Sequence, residues 1–186
     1  MQSNVKLFVA VPEELGAPEL IPTITGIGKL NAASSVYRYL SSLKKEERPD
    51  IILNVGTVGS HKFPVGTILL VESSIDGTVL ADEKSTQRLN VPERLSGEYE
   101  RATVYSSDFF VSEKLFPKSF VDSIKSKADA FDMELSAIVR AARDFDIKVV
   151  SVKVVSDNLD GSVVDWREAL KRVQPILKKF IIENFS

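Results

Sequence analysis

Five short runs of this sequence carry side chains that move protons or hold hydroxyl groups. Glu13-Glu14 follows Pro12, and Gly56-Thr57-Val58-Gly59 follows an apolar run. Ser107-Asp108-Phe109-Phe110-Val111 joins hydroxyl, acid and aromatic types, Asp132-Met133-Glu134 sets two carboxylates one residue apart, and Ser156-Asp157 pairs a hydroxyl with a carboxylate. Carboxyl groups in different surroundings can act as acid and base at one pH. The chain has no cysteine and a single histidine, His61. That excludes a thiolate nucleophile, a thiolate metal site and a multi-histidine metal centre, and speaks against a Ser-His-Asp triad. The inventory suits a polar organic ligand with hydroxyls and a flat ring, with no metal and no cofactor.

Taken singly, each run has an ordinary structural explanation. Glu14 reads as a solvated acid after a strand, Glu134 as a first-turn carboxylate favoured by the helix dipole, and Asp157 as a turn cap. Phe109 and Phe110 read as core, Trp166 as packing and His61 as a surface loop residue.

The elements that must position these runs follow from hydrophobic periodicity. Val5–Val11, Ile51–Val55 and Ile147–Val155 are near-continuous apolar runs rich in β-branched residues, which suits strands covered on both faces. Leu30–Leu43 has apolar residues at Leu30, Ala33, Val36, Tyr37, Leu40 and Leu43, the spacing of one helical face. Met133–Arg143 predicts a second helix with Asp132 as N-cap, and Val164–Phe185 a third that Pro175 kinks or divides. Thr67–Ser73 and Ala102–Tyr105 read as further strands, joined by a long loop or short hairpin. Strands alternating with helices predict an α/β fold with a mostly parallel sheet, whose ligands bind beyond the carboxyl ends of the strands.

With 186 residues and neither repeat nor linker, the expectation is a single domain over 1–186. Lys and Arg number 24 against 26 Asp and Glu, a net charge of −2 with both signs dispersed. No basic field invites nucleic acid, no apolar run approaches the roughly 18 residues of a membrane span, and no secretion signal opens the chain. A cytoplasmic location is expected.

In order along the chain stand Thr25-Gly26-Ile27-Gly28-Lys29-Leu30-Asn31-Ala32-Ala33, Asn54-Val55-Gly56-Thr57-Val58-Gly59, Ser107-Asp108-Phe109-Phe110-Val111, Asp132-Met133-Glu134 and Val155-Ser156-Asp157. This series resembles the purine nucleoside phosphorylase/nucleosidase superfamily over nearly the whole chain. The likeness is greatest to its hydrolytic branch, the 5′-methylthioadenosine/S-adenosylhomocysteine nucleosidases and futalosine hydrolases. The resemblance implies a three-layer α/β sandwich, a central mixed, mostly parallel sheet flanked by helices. It also implies a purine nucleoside substrate, hydrolysis of an N-glycosidic bond, and a homodimer.

Residue by residue, Glu14 matches the acid that activates the attacking water. Thr57, Val58 and Gly59 match the segment lining the ribose and water site, which reads here as a strand-to-helix turn. Phe110 matches the ring that stacks on the base, and Val111 the position whose backbone reads the base edge. Met133 matches the residue beneath the sugar, and Glu134 the carboxylate that holds the ribose hydroxyls. Asp132 stands where a glutamate is common. Asp157 matches the acid that protonates the leaving purine, and Ser156 the hydroxyl that orients it. Lys153 takes the place of an arginine, and the expectation is that it pairs with Glu14 and the water.

Cleaving an N-glycosidic bond builds positive charge on the sugar and negative charge on the base, so this distribution of acids is chemically apt. Phosphorolysis instead requires arginines for a phosphate dianion. Here the first strand is followed by Glu13-Glu14, and Asn54-Val55 precede Gly56, so water is the expected nucleophile. A phosphorylase and a non-catalytic nucleoside binder are the alternatives. The chain is short for this family: ten residues separate Glu14 from Thr25, and the Ser73–Ala102 stretch is trimmed. Both segments help close the 5′ side of the pocket in relatives.

Overall fold

The computed structural model describes residues 4–77, 86–95, 97–160 and 166–185. Eight strands form a mixed sheet: β1 (Val5–Val9), β2 (Thr23–Ile24), β3 (Ile51–Ser60), β4 (Ile68–Asp76), β5 (Thr86–Arg88), β6 (Glu100–Ser106), β7 (Ala130–Asp132) and β8 (Lys148–Asp157). Four α-helices accompany them: α1 (Lys29–Ser41), α2 (Lys118–Lys125), α3 (Leu135–Arg143) and α4 (Trp166–Phe185). Parallel pairing joins β2 to β1, β1 to β3, β3 to β8, β4 to β6 and β6 to β7. Antiparallel pairing joins β8 to β4, β7 to β3 and β5 to β4.

Alternation along the strands builds the layers. Ile52, Leu69 and Val149 face a core shared with Val36 and Leu40 of α1 and Ile138 and Ala142 of α3. Their sequence neighbours Leu53, Leu70 and Val150 face the opposite core, closed by Val173, Leu177 and Ile181 of α4. A central mixed sheet flanked by helices is the expected α/β arrangement. No helix among the described residues is long and apolar enough to cross a membrane.

Several local expectations are corrected. The stripe that α1 buries runs through Lys29, Ala32, Val36 and Leu40, leaving Leu30 80% exposed. The helix expected over Val164–Phe185 is α4, which passes through Pro175 as one element and leaves Ile176, expected inward, exposed. Its expected first residues, Val164 and Asp165, lie outside the described residues. The expected loop or hairpin after β4 is a hairpin, with Ser74 paired to Gln87.

The correction that matters most for function concerns Gly56–Ser60. These residues are strand, not a turn, because β8 pairs with them on one side and β7 with Gly59 and Ser60 on the other. Those two ladders satisfy the backbone groups and outweigh the weak strand preference of glycine.

Candidate active site

The carboxyl ends of β1, β3, β6 and β8 surround a cavity of about 230 Å³, which β7 and the β7–α3 junction complete. That volume is below the roughly 300–1,000 Å³ of common ligand clefts and suits one small molecule. Glu14, Asp132, Glu134 and Asp157 all line it, although 143 positions separate the first from the last.

Glu14 ends a 3₁₀ turn that Pro12 opens directly after β1. Its Oε1 accepts hydrogen bonds from Thr57 N at 2.9 Å and Thr57 Oγ1 at 3.0 Å, and its Oε2 accepts from Ala10 N at 3.1 Å. The close approach to β3 requires glycine: a Cβ on Gly56 would lie 2.9 Å from Glu14 Oε1. The strand therefore omits a side chain where the carboxylate rests.

Asp157 closes β8 beside a β-bulge. Val58 pairs with Val155 and Gly59 with Asp157, so Ser156 is the extra residue. Consecutive strand residues ordinarily face opposite sides, and a bulge re-aims them; here both Ser156 and Asp157 reach the cavity. Ser156 Oγ lies 2.9 Å from Asp157 Oδ2 and 3.2 Å from the Val58 carbonyl oxygen, and Leu159 N donates to Asp157 Oδ1 at 3.1 Å. Leu159 holds that N–H in place from a left-handed backbone conformation (φ 65°), a local strain of the kind found at functional sites. Burial pushes the Asp157 carboxyl up from its ordinary range, against the lowering effect of its two hydrogen bonds. Gly59 makes room in turn, since a Cβ there would lie 2.8 Å from Asp157 Oδ1.

Asp132 and Glu134 sit at the junction of β7 and α3. Helix α3 begins at Leu135, so Met133 and Glu134 belong to the junction rather than to the helix. The N-cap residue is therefore Glu134 and not Asp132 as expected, although Asp132 Oδ2 accepts from Leu135 N at 3.1 Å, while Ser106 Oγ donates to its Oδ1 at 2.6 Å. Glu134 Oε1 accepts from Gly28 N at 2.7 Å, and Gly28 adopts φ 90°, a conformation open to glycine. Burial raises Glu134 from the ordinary 4.5 to about 8; the Asp132 and Glu14 charges add to it, and Lys153 and the Gly28 N–H oppose it.

Lys153 does not pair with Glu14. Its ammonium lies 2.9 Å from Asp132 Oδ2, behind the cavity wall. Asp132 Oδ2 is thus shared between Lys153 and Leu135 N, while Glu14 is held by Ala10 and Thr57. Burial acts to lower the lysine, but the charges of Asp132, Glu14 and Glu134 outweigh it and hold Lys153 above its ordinary range.

Thr57, Val58, Gly59, Phe110, Val111, Met133 and Ser156 also line the cavity. Phe110 is 37% exposed, so it stands at the mouth instead of in the core. Phe109 packs on Phe116 with ring centroids 5.0 Å apart, yet it too contributes to the wall. Ile27, Leu159 and Trp166 are wall residues that sequence reasoning did not select. Ile27 lies inside the Thr25–Ala33 motif, whereas Leu159 and Trp166 carry no chemical signal in the sequence. Among the described residues, no group of His, Cys, Asp or Glu is arranged to hold a metal ion.

A mixed sheet between helices, with an acid-lined cavity at its strand ends, defines an α/β protein with a candidate small-molecule site. The chain belongs to the phosphorylase superfamily, whose family model matches residues 13–183. It is similar to the 5′-methylthioadenosine/S-adenosylhomocysteine nucleosidase of Staphylococcus carnosus, 25% identical over 165 residues covering 77% of this chain and 70% of the relative. It is also similar to the nucleosidase of the same name from Buchnera aphidicola subsp. Acyrthosiphon pisum, 26% identical over 190 residues covering 86% and 78%. Among solved structures, a Helicobacter pylori MTAN point mutant with 5′-methylthioadenosine in its active site superposes with a TM-score of 0.82, at 15% identity over 98% of each chain. The Neisseria meningitidis nucleosidase in complex with methylthio-immucillin-A gives 0.77, at 18% identity over 96% of each chain. These likenesses establish the fold.

Proposed function

We propose that this protein is a nucleosidase, hydrolysing the N-glycosidic bond of a purine nucleoside of the 5′-methylthioadenosine/S-adenosylhomocysteine type with water as nucleophile. One observation carries the choice of water. The described cavity lining holds four carboxyl groups and neither lysine nor arginine. A phosphate dianion needs cations, and acids repel it. Curated relatives named as nucleosidases support the same reaction class.

In this reading the acids divide the work by environment. Glu14, fixed by three donors, accepts a proton from the attacking water. Asp157, whose carboxyl is raised by burial, donates its proton to the departing base, with Ser156 orienting it. Glu134 holds the ribose hydroxyls, Met133 lies beneath the sugar, and Phe110 stacks on the base while Val111 borders its edge. Asp132 and Lys153 act together as a buried ion pair that sets the charge behind Glu134. Positive charge developing on the sugar then meets an acidic wall where it forms.

The test is base release from 5′-methylthioadenosine, S-adenosylhomocysteine, adenosine, inosine and futalosine, with and without inorganic phosphate. The proposal expects release without phosphate and no stimulation by it. Release that requires phosphate would establish a phosphorylase, and base or nucleoside binding without turnover would establish a non-catalytic binder.

A further inference from the structure

A second concavity lies at the other end of the sheet. It encloses about 460 Å³ between β5 and the residues that follow it, the last turn of α3, and the first residues of β8. Arg88, Arg143 and Lys148 line it together with a single acid, Asp146, so the lining carries a net charge of +2 in a chain whose total is −2. Other cations of this protein face acids: Lys62 faces Asp129, Lys125 faces Glu113 and Lys153 faces Asp132. Among the described residues, the side chains of Arg88, Arg143 and Lys148 take part in no ion pair and no hydrogen bond.

Three unpaired cations converging on one groove form a region of positive potential that awaits an anion. Guanidinium groups match the oxygens of a phosphate in a bidentate fork, and an ammonium serves as a third point charge. Val139 and Ile147 supply apolar wall beside them. We propose that this groove binds the phosphomonoester of a small organic molecule, with Arg88, Arg143 and Lys148 holding the dianion and the apolar wall holding its carbon body.

The groove is separate from the candidate active site. Lys148 opens β8 and Asp157 ends it, and ten strand residues span about 30 Å. Arg143 likewise closes α3, whose first turn follows Glu134. A phosphomonoester here leaves the acid-lined cavity open.

The experiment is a calorimetric titration of the full chain with ribose 5-phosphate in phosphate-free buffer at low salt, with ribose and inorganic phosphate as comparison ligands. Ribose 5-phosphate and phosphate should bind, ribose should not, and binding should weaken as salt rises. The Arg143→Ala/Lys148→Ala variant should bind ribose 5-phosphate at least tenfold more weakly, and Arg88→Ala should weaken it in the same direction. All three side chains are exposed, so melting temperature and base release should stay at the parent values. Absence of ribose 5-phosphate binding, equal binding of ribose, or undiminished affinity in the double variant would overturn the proposal. So would retention of a short RNA by a chain that does not bind ribose 5-phosphate.

Discussion

The ammonium of Lys153 lies 2.9 Å from Asp132 Oδ2, and the two side chains are only 3% and 1% exposed. Around this pair stand the other charges of the site: Glu14 and Glu134 act on the same lysine and help hold its proton. One buried cation therefore balances a group of buried acids. Its position behind Asp132 keeps positive charge off the cavity surface and still limits mutual repulsion among the carboxylates.

Removing that cation should be severe. Lys153→Met leaves Asp132 buried without its partner, and breaking such a pair costs about 3–5 kcal/mol. Urea denaturation of the variant should show a loss in that range. Adding Asp132→Asn to Lys153→Met should recover part of it, because the uncompensated charge is then gone. Equal stabilities for Lys153→Met and the parent would mean that the pair contributes nothing.

The two glycines of β3 should behave as carboxylate seats. A methyl group at Gly56 meets Glu14 Oε1, and one at Gly59 meets Asp157 Oδ1 and the Leu159 side chain. Gly56→Ala should lower kcat about tenfold or more by displacing Glu14 from Thr57, since small misplacements of catalytic groups have effects of that order. Gly59→Ala should also lose roughly 1–3 kcal/mol of stability through overpacking. Steady-state kinetics and thermal melts on both variants check this.

The raised Glu134 carboxyl makes stability depend on pH in a definite sense. An acid whose pKa is higher in the folded state favours folding while it is protonated. That contribution is complete below 4.5 and is lost as pH rises through about 8. Glu134→Gln removes this dependence. The stability of the variant relative to the parent should therefore increase steadily across that window, by an amount on the order of a few kcal/mol. A difference that stays flat with pH would contradict the burial argument.

Asp157 is raised by burial as well, so its protonated form persists to higher pH than an exposed aspartic acid allows. Turnover should decline on the alkaline side as that proton is lost. Asp157→Asn should cut kcat by about 10²–10⁴, the usual contribution of general acid catalysis, and abolish that limb of the pH profile. An unchanged alkaline limb in Asp157→Asn would assign it to another group.

The layers of the fold were legible because burial on both faces leaves near-continuous apolar runs, as in Ile147–Val155. That Glu14, Glu134 and Asp157 meet at one cavity was legible through the order of the motifs that carry them. What could not be read depends on long-range pairing. Gly56–Ser60 looks like a turn until β7, some 70 residues later, pairs with it. The bulge at Ser156 is a register event between β3 and β8, invisible in either strand alone. The partner of Lys153 depends on which acid the fold brings within reach of its ammonium. Leu159 and Trp166 enter the cavity wall as apolar residues whose types say nothing of chemistry.

Hydrolysis by the acid-lined cavity is decided by turnover of 5′-methylthioadenosine in phosphate-free buffer by the parent chain and by Glu14→Gln, with adenine binding followed by thermal shift in both. The parent should release adenine, Glu14→Gln should lose at least about a hundredfold in kcat, and the variant should still bind adenine. Glu14→Gln turning over as fast as the parent would contradict the proposal.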